Sequence, residues 1–538
     1  VRVLFRPPQA SERTPVYFGR MMLPRRHLIL ACMLVSGCVR QPAQVTLVPS
    51  ATPAATPTPG PSPTPLPTLP PTPAAAGLDI HASAMLPQFA GDLAALANAT
   101  RYWIEIQVQF DPLREMAVIE GLARIRFVNP GQQPLSDVVV MLWPNDLQYQ
   151  AEMHAGPALI DGRLQPPNAE LQGLAQRYEL PRPLPPGEAV DLSLPFHVDT
   201  SGPIGGGIPR RFGISEGVLF APTFYPLLPL LRDGEWVVER APAGGDTTNS
   251  AIAFYQVRVA TSVDHEVVAT GIEVGREQLP DGTQAMTFVS GPVRDFAFAI
   301  GTLVSETKEV QGVQIRGWVL PEHQPDLTRM VEAAAAQVEL LARLVGPYRY
   351  VELDLVDLPG AYGGIEYPGL VTIGTLGGPD LIHPTVHEVG HQWFYGLIGD
   401  DQLREPWLDE AAATYTQVLY LEQTEGSGSA TGLLSDYREA LREHPEPERP
   451  IGLGVADYAS QWEYALFVYL KGALFFDALR TELGDKIFFE FLQAYYEDYR
   501  YKIATAVDFQ STAEATCACD LQALFDLWVY RGGELPGL

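Results

Sequence analysis

Cysteine is nearly absent, with four in 538 residues. Two bridges at most cannot hold a chain of this length, so its fold must rest on an apolar core. Charged side chains are scarce too, at 19%, below the usual quarter. Basic residues are the scarcest class: 36 Lys and Arg stand against 64 Asp and Glu, a formal net charge of −28. Nucleic-acid binding rewards clustered Lys and Arg, which excludes that function class. What is present is apolar material, 46% of the chain, enough for a sizeable core and too much for wholesale disorder. Gly and Pro number 48 and 49, which points to a low-complexity segment. The length allows three or four ordinary domains, or two large ones.

The first eighty residues read as an address and a stalk. The chain starts at Val1, and Met21 or Met22 is the expected true start. Arg25 and Arg26 form a charged region before the apolar run Leu28 to Val35. That run is too short to span a bilayer as a helix. Val35-Ser36-Gly37-Cys38 resembles a bacterial lipobox, in which the Cys is lipidated after cleavage. Residues 1–37 are thus a leader, Cys38 is the lipidation candidate, and the paired arginines loosely resemble a twin-arginine signal. The expectation is an exported lipoprotein, at the cell surface or in the periplasm, held on the membrane by its lipid. Residues 41–76 contain no charged side chain and repeat Thr-Pro and Ser-Pro steps. Such a segment buries no core and favours extended polyproline II, with a reach of roughly 100 Å. Residues 38–80 are read as a stalk.

Short alternating segments dominate from there to residue 304. Tyr102 to Phe110, Gly121 to Val128, Val138 to Trp143, Ala253 to Ala260 and Asp295 to Ile300 have strand patterns. Asn129-Pro130-Gly131 and Pro280-Asp281-Gly282 supply turns between them. A sandwich or saddle-shaped β domain over 81–304 follows. Its titratable residues have no catalytic spacing. The irregular stretch Pro203 to Pro229 reads either as a loop leaning over a neighbouring site or as a surface connection.

The pattern turns helical after residue 305. Asp326 to Val345 is apolar at helical spacing, and Glu352 to Leu358 is a strand. Then comes Thr385-Val-His-Glu-Val-Gly-His-Gln-Trp-Phe394. His387 and His391 are four residues apart, which on a helix places both imidazoles on one face. Such a pair suits a tetrahedral Zn²⁺, with Glu388 placed to act as general base toward a water at the metal. A zinc hydrolase needs a third ligand, and Glu410 lies nineteen residues beyond His391. Trp407 to Leu421 reads as a helix opening at Pro406. Antiparallel to the first helix, it would bring Glu410 to the histidines. The metal set is therefore His387, His391 and Glu410, with one zinc per chain.

This HExxH, eighteen residues, then Glu within Trp-Leu-Asp-Glu, resembles the aminopeptidase N family of zinc metallopeptidases, thermolysin-like gluzincins. Gly363-Gly364-Ile365-Glu366-Tyr367 resembles the family's Gly-x-Met-Glu-Asn exopeptidase motif, and Tyr469-Leu-Lys-Gly472 its Tyr-x-Lys-Gly segment. Arg294-Asp295-Phe296 resembles the end of the family's N-terminal β domain. The resemblance implies an α+β multidomain chain: the β domain, then a mainly helical thermolysin-like peptidase domain over 305–538. It implies peptide substrates and cleavage of N-terminal residues. Glu388 would be the base and Tyr469 the donor to the oxyanion. Glu366 would face the substrate's α-amine, with Gly363 and Gly364 leaving room for an extended peptide. Asp409, where the family usually has Asn, would either support the ligands or cap its helix.

Three departures shape the alternatives. The motif ends Ile365-Glu366-Tyr367 rather than Met-Glu-Asn. The family's Gln- and Arg-containing amine-gripping stretch is not apparent; Phe220-Ala-Pro-Thr-Phe-Tyr-Pro226 stands near its place. The sequence also stops soon after Trp528 to Gly533, where the family's catalytic domain ends, and an open cleft would admit longer peptides. An endopeptidase or tripeptidyl-type enzyme is the first alternative, and a non-catalytic surface binding protein the second. Cys517-Ala-Cys519 is expected to hold two thiols rather than a short-loop disulfide.

Overall fold

The computed structural model describes residues 77–149, 151–201, 211–242, 245, 248–359, 363–374, 376 and 380–535. The leader, Cys38 and most of the stalk lie outside them. Among the described residues no helix is long and apolar enough to cross a membrane.

The alternating segments form strands, each somewhat longer than its pattern. Thr100–Asp111 pairs antiparallel with Met116–Val128, and that strand with Ala189–Ser201. Ala253–Thr261 joins parallel to Thr100–Asp111, so the nine-stranded sheet is not a simple meander. The inward residues Ile104, Ile106 and Val108 are buried and the intervening Glu105, Gln107 and Gln109 exposed, as period two requires. Smaller sheets of four and three strands pack with it. Of the Gly- and Pro-rich stretch, residues 211–229 are described, and nearly all of them are buried. They form strands and pack Phe220 against Tyr367, with ring centroids 5.4 Å apart. The plain surface connection does not hold for this part.

A five-stranded sheet begins at Val304–Val310 and ends on the short strand Gly364–Ile365. Gln324–Leu344 is the expected amphipathic helix, with Leu327, Val331, Ala334, Val338 and Leu341 inward. The helices Ile382–Gly390, Trp407–Thr424 and Gly472–Tyr499 follow. The last is interrupted at Gly484, whose φ of 72° ends its first half. Tyr469 lies in a π-helical turn, Ala465–Lys471, just before it. Bulges of this type re-aim side chains and recur at functional sites.

Arg294 ties the β-rich half to the helical half. It is fully buried and donates to the Tyr395 carbonyl at 2.7 Å and the Lys502 carbonyl at 2.6 Å. Gly399 makes room for it, since a Cβ there would lie 1.9 Å from the guanidinium carbon.

The expected free thiols are corrected: Cys517 and Cys519 form a disulfide. The reason is local. Ala518 takes the left-handed conformation that ends the helix Ala506–Cys517, which brings the two Cα atoms to 5.2 Å.

Candidate active site

Three elements converge on one small volume. The helix Ile382–Gly390 carries His387 and Glu388, with His391 at its C-terminal cap. The helix Trp407–Thr424 opens after Pro406 and carries Asp409 and Glu410 in its first turn. Tyr469 comes from the π-helical turn. Gly472 lets that segment approach closely, because a Cβ there would sit 2.3 Å from the Cβ of Ala411, the neighbour of Glu410.

His387 Nε2, His391 Nε2 and Glu410 Oε2 are each 3.1 Å from the other two. Tetrahedral bonds of about 2.0–2.1 Å would set neighbouring donors about 3.3 Å apart, so this triangle fits a zinc-sized cation. Two facing imidazole nitrogens and a carboxylate oxygen are the donor chemistry for such an ion. His391 Nδ1 lies 3.1 Å from the Phe394 carbonyl. As a donor there, it leaves Nε2 with its lone pair toward the triangle. Burial alone would lower the His391 pKa, but the Glu410 carboxylate outweighs it and raises it well above the ordinary value. Burial would raise Glu410, yet His391 and His387 hold it below the carboxylate range, so it stays ionised.

Glu388 and Glu366 are both buried, and one oxygen of each lies within 4.8 Å of the other and of a His391 nitrogen. Glu366 is on the segment just after the strand Gly364–Ile365. Gly364 is required by space: a Cβ would lie 2.3 Å from the Thr372 carbonyl and 2.5 Å from Glu388 Cγ. Gly363, at φ +75°, occupies the left-handed region that favours glycine. The Tyr469 ring stacks on His387, with centroids 5.6 Å apart, and its hydroxyl donates to Glu410 Oε1. The expected oxyanion donor therefore rests on the carboxylate corner of the triangle. Asp409 does not cap its helix, whose first turn opens at Pro406 without a side-chain cap; it contacts the backbone of Glu410 and the Gln402 amide. Its Oδ1 accepts the Glu410 backbone N–H at 2.6 Å, and its Oδ2 accepts from Gln402 at 3.1 Å.

Two glutamines were not singled out by sequence. Gln392 accepts from the Gly369 N–H at 2.8 Å and donates to the carbonyls of Glu366 and Tyr367 at 3.3 Å. It fixes the backbone that carries Glu366. Its only signal was adjacency to His391. Gln402 bridges Glu366 and Asp409, and no motif marks it.

Glu366, Glu388, Asp409 and Glu410 are four buried acids gathered around one space. Buried carboxylates that stay ionised need cationic or hydrogen-bonding partners. A divalent metal at the triangle answers part of that demand, and a cationic end of a ligand answers more.

Residues 379–528 match the Peptidase family M1 domain. Aminopeptidase RNPEPL1 of Mus musculus is 28% identical over 262 residues, covering 44% of this chain and 36% of the relative. Aminopeptidase B of Rattus norvegicus is 30% identical over 254 residues, covering 41% and 36%. The chain thus spans little more than a third of the length of these curated relatives. The fold is that of the M1 zinc metallopeptidase from Deinococcus radiodurans, with a TM-score of 0.63 at 21% identity over 82% of this chain and 94% of that one.

Proposed function

We propose that the protein is a zinc-dependent aminopeptidase that hydrolyses the N-terminal peptide bond of peptides. The observation that carries it is the pairing of the donor triangle with two further carboxylates, Glu388 and Glu366, within 4.8 Å of each other. One carboxylate is needed as base, and the second has no role in hydrolysis itself. It has a role if the substrate ends there in an ammonium.

His387, His391 and Glu410 would hold the zinc, which polarises a carbonyl and makes water more acidic when bound. Glu388 takes the proton of the attacking water and passes it to the leaving amine. Its position is set by Gly364 on one side and its own helix on the other. Tyr469 releases Glu410 Oε1 and donates its hydroxyl to the developing oxyanion, a contact made only as charge develops. Glu366 binds the α-ammonium and so sets the distance from chain end to scissile bond.

An aminoacyl-anilide or short peptide with a free N-terminus is expected to be cleaved, and its N-acetylated form to lose about 10- to 100-fold in kcat/KM, as one charge-assisted contact of about 1.5–3 kcal/mol would give. Equal cleavage of both forms would indicate an endopeptidase.

The exported, lipid-anchored location is part of the same reading. It is supported by the charged Arg25-Arg26 pair, the short apolar run and the small residues before Cys38. Replacing Cys38 with Ser is expected to abolish lipid labelling and free the protein from membranes. Unchanged membrane retention would count against the anchor.

A further inference from the structure

The helix Gln461–Tyr464 runs directly into the π-helical turn Ala465–Lys471, where the Gly472 N–H returns to the Phe467 carbonyl. Turns of this kind are rare, and strong contacts from outside hold both ends of this one. Lys471 is its last residue and is fully buried. Its ammonium donates to the Pro447 carbonyl at 2.8 Å and to the Arg449 carbonyl. Burial pushes its pKa down to about 8, which leaves it mainly charged at neutral pH. A packed apolar side chain would cost less here than a buried ion. What the ion adds is direction, because it fixes the turn against two carbonyls of one loop.

The same loop grips the other end of the segment. The Arg449 guanidinium donates to Glu463 Oε1 and, at 3.1 Å, to the Asp457 carbonyl. Both cations lie against the Phe467 ring, Lys471 at 5.5 Å and Arg449 at 5.6 Å from its centroid. Residues 447–449 thus staple the segment, with one leg on Glu463 and the other on Lys471. The loop is itself anchored, since the Glu448 carbonyl accepts the Gly533 N–H at 2.9 Å.

Tyr469 lies inside the stapled span. It stands two residues before Lys471, roughly half a helical turn round, so the two side chains leave the turn on opposite sides. On its own side Tyr469 meets the His387 ring and the Glu410 carboxylate. Lys471 can therefore act on the chemistry only through the turn that both share. We infer that Lys471 is a positioning residue: by gripping the 447–449 loop it sets the π-helical turn so that the Tyr469 hydroxyl reaches the oxyanion. The inference rests on the oxyanion role proposed for Tyr469 and deepens it.

The test is a double-mutant cycle on the full zinc-loaded chain, with an aminoacyl-anilide as substrate. Tyr469→Phe is expected to lower kcat by about 10²–10³-fold, the value of one oxyanion donor. Lys471→Met, close in shape but uncharged, is expected to lower kcat about tenfold or more, as a displaced donor would, with KM and zinc content unchanged. In the Tyr469→Phe background the same change is expected to alter kcat by less than about twofold, because no hydroxyl is left to place. A wild-type kcat in Lys471→Met overturns the inference. So does an equal loss in both backgrounds, which would show a merely structural role. Full kcat in Tyr469→Phe removes the oxyanion role, and the inference with it. A wild type that leaves the anilide intact overturns the aminopeptidase reading itself. If Lys471→Met does not fold, Glu463→Gln carries the test through the other leg of the staple. Its kcat is expected to fall about threefold or more with Tyr469 present, as a weakened ion pair would give, and to be unchanged with Phe at that position. A wild-type kcat there, or the same loss in both backgrounds, overturns the inference.

Discussion

Glu388→Gln is expected to lower kcat for a free-amine peptide by about 10²–10⁴-fold, the usual contribution of a positioned general base. The replacement is isosteric, so it preserves the contact with Gly364 and does not touch the donor triangle. KM is expected to change little and metal content to stay near one zinc per chain by elemental analysis. The two readouts together separate loss of proton transfer from loss of the site. Full peptidase activity in this variant would show that the proton is taken elsewhere.

Glu410→Ala is expected to do the opposite to metal content. Two imidazoles alone leave the triangle without its anionic corner, and the Tyr469 hydroxyl loses its acceptor at the same stroke. Zinc is expected to fall to near zero after dialysis. Activity is expected to fall by about 10³-fold or more, since bound-metal catalysis would be lost with the ion. Added zinc should restore part of it, which it would not do for Glu388→Gln. A variant that keeps stoichiometric zinc after dialysis would remove Glu410 from the ligand set.

The readable part of the site was the part with local periodicity. Residues four apart on a helix share a face whatever surrounds them, so His387 and His391 were legible, and Glu388 with them. Glu410 was legible because its own helix was bounded by Pro406 and patterned through Leu421. The strands from Thr100 onward were legible through alternation, though the parallel pairing of Thr100–Asp111 with Ala253–Thr261 was not, because nothing local encodes a partner 150 residues away. Gln392 and Gln402 escaped for the same reason, since their partners are chosen by tertiary contact rather than spacing. The Cys517–Cys519 bridge escaped because it depends on one left-handed residue, and alanine gives no sign that it will be that residue. The hydroxyl of Tyr469 was placed on the oxyanion by resemblance, whereas without substrate its strongest nearby acceptor is a carboxylate.

The ties between the two halves bear on how such a protein can be rebuilt. Asp401 accepts from Arg232 and Asn249, and Arg404 pairs with Glu239, so groups of the β-rich half set the loop that borders the buried acids. The helical half is therefore not a transferable cartridge. Grafted onto another β body, it would lose the groups that hold that loop. It would also lose the Arg294 guanidinium that binds the Tyr395 carbonyl, just past the histidines, and the Lys502 carbonyl. The two halves therefore form one unit for redesign, and a new β body would have to resupply both sets of contacts.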